Sequence, residues 1–78
     1  MPLPIDIRQI RKTLRALQKQ HPDDLLIQGK CAQLRENAKV YAQDMERGED
    51  TERVQKMMAK NWNELARHMQ RNRYKWPT

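Results

Sequence analysis

Apolar residues return at helical spacing in three stretches of this chain, divided by proline, glycine and acidic residues. In the first stretch Ile7, Ile10, Leu14 and Leu17 follow at intervals of 3, 4 and 3, which puts them on one helix face. Asp6 precedes the run with Gln9 three residues on, a capping-box arrangement. His21-Pro22 closes it, because the residue before proline avoids the α conformation. A first helix is expected over 6–20.

The second stripe is Ile27, Cys31, Leu34, Ala38, Tyr41 and Met45, with intervals alternating between 4 and 3. Pro22 tolerates a first helical turn, and Asp23 and Asp24 suit the positive end of the helix dipole. A helix over 23–47 follows, interrupted by Gly29 and closed where Gly48 can take a C-terminal cap. The third stripe is Val54, Met58, Trp62, Leu65 and Met69, starting from Asp50 or Thr51. Continued helix would return Trp76 to that face, so a helix over 51–75 is expected, with a short basic tail over 71–78.

These elements predict an all-α fold, a single domain over 1–78 arranged as an up-down-up three-helix bundle. The short connection between the second and third helices makes them antiparallel neighbours. A helical hairpin that dimerises into a four-helix bundle, with the first helix as an arm, uses the same spacing. The expected core or interface residues are Ile7, Ile10, Leu14, Leu17, Ile27, Leu34, Tyr41, Met45, Val54, Met58, Trp62, Leu65, Met69 and Trp76. Adjacent Met57 and Met58 cannot share one core line, which leaves Met57 at a boundary.

Composition adds a constraint on size. With 37% hydrophobic residues, 33% charged and no Phe, the core is thin, and a homo-oligomer is expected to bury what one copy exposes. One cysteine, Cys31, forms no intramolecular disulfide. The longest apolar run, Leu25-Leu26-Ile27, is too short to span a membrane. A reducing, cytoplasmic location is the expectation.

Candidate chemistry is sparse. His21, Cys31, His68 and the carboxylates show no zinc-ligand spacing, and no glycine-rich phosphate loop occurs. Cys31 with His68 would need an orienting group, an oxyanion hole and a pocket to act as a nucleophilic dyad. Cys31 instead lies within an apolar stripe, where cysteine behaves as a small buried hydrophobe. Neither catalysis, metal nor cofactor is expected.

Charge is where the sequence points outward. The net charge is +6, distributed as +4 over 1–21, −4 over 22–52 and +6 over 53–78. On the third helix Arg53, Lys56, Lys60, Arg67 and Arg71 fall within an arc of roughly 60°, opposite the apolar stripe. On the first helix Arg8, Arg11, Lys12, Arg15 and Lys19 share one flank, and no acidic residue follows Asp6 there. If the third helix continues, Tyr74 joins the line of Lys60, Arg67 and Arg71, beside Lys75. Parallel first and third helices would merge both stripes into one basic surface.

Such stripes suit the phosphate backbone of nucleic acid, bound with low sequence specificity. The expected function is a small basic accessory protein that binds nucleic acid or another polyanion. The alternative is a non-enzymatic protein-protein adaptor, inhibitor or homo-oligomeric interaction module, which the five methionines favour.

Overall fold

A computed structural model describes residues 3, 4 and 6–77; Pro2 and Thr78 of the punctuation and tail readings lie outside these. Helices account for all regular secondary structure among the described residues: α1 (Ile7–Gln20), α2 (Leu25–Arg47) and α3 (Glu52–Arg71). They form a three-helix bundle with principal extents of 39 × 21 × 19 Å.

Each helix start is set by a side chain. The Asp6 carboxylate accepts from the backbone N–H of Arg8 at 2.9 Å, relieving one of the unpaired donors of α1. Asp24 does the same for α2 through Ile27 at 3.1 Å. This corrects the expected start at residue 23. His21–Asp24 is a turn closed by Asp24 N–H to His21 C=O at 3.2 Å, so Pro22 serves that turn and Asp24 the cap. At α3, Asp50 accepts from the N–H of Glu52 at 2.9 Å. Gly48, at φ 69°, ends α2: its N–H bonds to Met45, and that of Glu49 to Asp44. Glycine takes that left-handed conformation without a Cβ penalty.

Helix α2 packs against both of its neighbours, and no Cα of α1 comes within 8 Å of one of α3. Side chains fill the space between them. Ile10, Leu14, Leu17, Ile27, Cys31, Leu34, Ala38, Val54, Met58, Trp62, Leu65 and Met69 form one buried cluster, with Ile7, Tyr41 and Trp76 partly buried against it. The inner face of α1 is thus part of the core, and α1 is not an arm. Thr13 is buried too, which its polar type concealed.

Met45, expected in the core or an interface, is 58% exposed and so is not part of the core. It lies on the last turns of α2, past Tyr41, which lines a cleft with Leu3 and Ile7.

The end of α3 also differs from the expectation of helix to residue 75. After Arg71 the chain turns through Arg73 at φ 56°, with Arg73 N–H on Gln70 C=O (3.1 Å) and Tyr74 N–H on Met69 C=O (2.9 Å). This is a Schellman closure with arginine in the left-handed position. Further helix would return Trp76 to the α3 core face but put Tyr74 on the exposed cationic line. Reversal instead stacks Trp76 on buried Trp62 and Tyr74 on His21.

Candidate nucleic-acid interface

The absence of acidic residues after Asp6 leaves the outer face of α1 purely cationic. Arg8, Arg11, Lys12, Arg15 and Lys19 are all exposed. Among the described residues none of them takes part in an ion pair within 4 Å.

Helix α2 extends this face. Arg11 and Arg15 line one groove with Ala32, Arg35, Glu36 and Lys39. Arg35 is turned toward α1 by a bond from its Nη1 to Gln18 Oε1 at 3.2 Å. Four cations thus meet across an α1–α2 groove that holds a single carboxylate, Glu36. In water such charges repel by only about 1 kcal/mol at 4 Å, so exposure makes the crowding tolerable. Arg35 and Lys39 are sites that the charge pattern had hidden. They lie in the segment of net charge −4, but four residues apart they share one face of α2.

On α3, Arg53, Lys56, Lys60, Arg67 and Arg71 are exposed opposite the buried stripe. Lys56 meets Glu52 at 3.2 Å, an open i,i+4 pair. Lys75 is exposed on the tail. Tyr74 is not on this line. Because α3 stops at Arg71, its ring turns inward, 4.2 Å from the His21 ring at 28° and edge-on to His68 at 6.3 Å.

The expected joint basic surface of α1 and α3 does not form in the cleft between their first turns. The cleft between them is lined by Leu3, Pro4, Ile7, Ile10, Tyr41, Gln55, Met58 and Ala59, without a charge. On the other side, α2 and α3 meet along a polar seam. Lys30 pairs with Glu64 and donates to Asn61 Oδ1 at 3.3 Å, and Asn61 donates to Asn37 Oδ1 at 3.0 Å. The bond from Lys30 holds the Glu64 carboxyl below the ordinary carboxylate range.

The remaining titratable groups serve the fold. His68 Nε2 lies 2.7 Å from Asp24 Oδ2, while the other oxygen of Asp24 caps α2. A carboxylate has no proton to offer, so Nε2 carries it. This bond lowers the Asp24 pKa from its ordinary value. Cys31 is fully buried, and desolvation pushes its thiol up to about 11. His21, at the end of α1, is half-buried and stacked on Tyr74. No group of three or more His, Cys, Asp or Glu side chains able to hold a metal occurs among the described residues, and none of their helices is long and apolar enough to cross a membrane.

The chain matches no protein-family model, no curated protein and no solved structure.

Proposed function

We propose that this protein is a non-enzymatic accessory protein that binds nucleic acid through its phosphate backbone, with low sequence specificity, in a reducing, cytoplasmic setting. The observation that carries the reading is the α1–α2 groove, where Arg11, Arg15, Arg35 and Lys39 face one another with Glu36 alone against them. Unpaired cations at helical spacing follow a polyanion and gain affinity by releasing its counterions. Arg8, Lys12 and Lys19 lengthen the α1 row, and Lys60, Arg67, Arg71 and Lys75 add positive surface on α3 and the tail.

The test is a titration of fluorescent duplex and single-stranded oligonucleotides at two salt concentrations. About five phosphate contacts predict an affinity loss of about 10²–10³-fold between roughly 50 mM and 200 mM salt. Charge reversal of Arg11, Arg15, Arg35 and Lys39 should weaken binding at low salt while leaving the helical circular dichroism unchanged. Absence of binding at low salt rejects the reading.

A second reading, a protein adaptor or homo-oligomer, is favoured by apolar side chains left in solvent. Leu25, Met45 and Met57 are 85%, 58% and 49% exposed. Sedimentation and co-purification measure it directly: a monomer without a protein partner rejects it.

A further inference from the structure

The two cationic rows do not converge. The α1 row leans toward α2, whose Arg35 and Lys39 complete it. The α3 row lies opposite its buried stripe, with Lys60 at the edge of the α2–α3 groove beside Lys30, Glu36 and Glu64. On one side, the cleft between the first turns of α1 and α3 is lined by uncharged residues. On the other side lies the α2–α3 seam, where Glu64 neutralises Lys30. A single polyanion lying in the α1–α2 groove therefore leaves Arg53, Lys60, Arg67 and Arg71 unoccupied.

We propose that the bundle is a bivalent bridge, its α1–α2 groove holding one nucleic-acid segment and its α3 row a second. This rests on the nucleic-acid reading above. Three features of the fold suit it. Both rows are straight, each following a helix axis: Arg8 to Lys19 covers about 16 Å and Arg53 to Arg71 about 27 Å. Both are made of exposed side chains that need no rearrangement. The rows flank α2 on different sides, one in the α1–α2 groove and the other bordering the α2–α3 groove. Salt screens exposed charges from each other beyond about 8 Å at physiological ionic strength, which weakens repulsion between two bound segments. Occupation of one face then leaves the other nearly as attractive as before.

Bridging is distinguishable from binding. Short biotinylated duplex on beads is mixed with a fluorescent duplex of the same length, and capture of the second by the first is followed as protein is added. The bridge predicts capture that rises and then falls at excess protein, once each duplex carries its own copies. Two variants divide the faces: Arg11, Arg15, Arg35 and Lys39 to Glu, and Lys60, Arg67 and Arg71 to Glu. Each should still bind a single duplex at low salt, yet lose capture by about tenfold or more. A mixture of the two should not restore it.

Wild-type protein that binds one duplex but captures no second overturns the bridge and leaves the binding function standing. Capture that persists in either single-face variant, returns on mixing the variants, or plateaus at excess protein also overturns it, because self-association then makes the link. Failure to bind any duplex removes both.

Discussion

Trp76 lies against Trp62 with ring centroids 5.0 Å apart and planes 17° from parallel. Trp62 is buried at the centre of α3, and Trp76 covers it from the returning tail. An aromatic pair adds about 0.5–1.5 kcal/mol beyond the area it buries.

Trp76→Ala is therefore expected to cost about 1–3 kcal/mol, from the lost ring area and the lost stacking. Denaturant unfolding would register it, along with a weakened near-ultraviolet circular dichroism signal. Against a total of about 4–12 kcal/mol for a domain of this size, that is a large share. An unchanged unfolding midpoint would mean that the tail does not close the core.

Acid should act through Asp24. Its pKa is lowered in the folded protein by the bond to His68, with the backbone N–H of Ile27 adding to it. A depressed carboxylate pKa stabilises the fold above the unfolded value of 3.8 and loses that contribution as pH falls through the folded value. Asp24→Asn keeps an amide able to cap α2 but abolishes this titration. The wild type should exceed it in stability at about pH 5, and the gap should narrow by about pH 2.5. Urea unfolding at both pH values measures this, and a gap independent of pH contradicts it.

Arg73 occupies a backbone conformation that disfavours side chains. Arg73→Gly removes that penalty but gives the unfolded chain more freedom, leaving a net gain of about 0.5–1 kcal/mol. The melting temperature should rise by about 2–8 °C. A fall would show that the arginine makes a stabilising contact larger than its strain.

Cys31 should be inert in the folded protein. Its thiol, buried and pushed up to about 11, offers little thiolate and no access at neutral pH. A thiol reagent is expected to label it at least about 10³-fold more slowly in native buffer than in denaturant. Rapid native labelling would place the residue at a surface.

Periodicity made most of this fold legible. The runs from Ile7 to Leu17 and from Val54 to Met69 face inward because a 3-and-4 spacing admits only one helix face. Departures came where tertiary contacts compete with local pattern. Met45 keeps the spacing but has nothing opposite it. Trp76 keeps it too, and Tyr74 keeps the cationic line, yet both fold back, onto Trp62 and His21. The charge reading showed the same boundary. Each cationic row was visible within one helix, but which rows meet depends on how the helices turn toward one another. Arg35 and Lys39 emerged only when α2 was seen beside α1.

The polar seam from Lys30 and Glu64 to Asn37 and Asn61 has a consequence for how the hairpin finds its alignment. Leucine and methionine stripes are forgiving: slid by one helical turn, α3 would still present apolar residues to α2. The same slip would part Asn61 from Asn37 and leave Lys30 without Glu64, replacing satisfied bonds with unmatched polar groups at the edge of the interface. These four side chains act as a vernier, reading the offset between two helices that the oily stripes alone would accept at several settings. A spread of alignments would blur both cationic rows. The seam thus keeps each row in a constant place on the molecule.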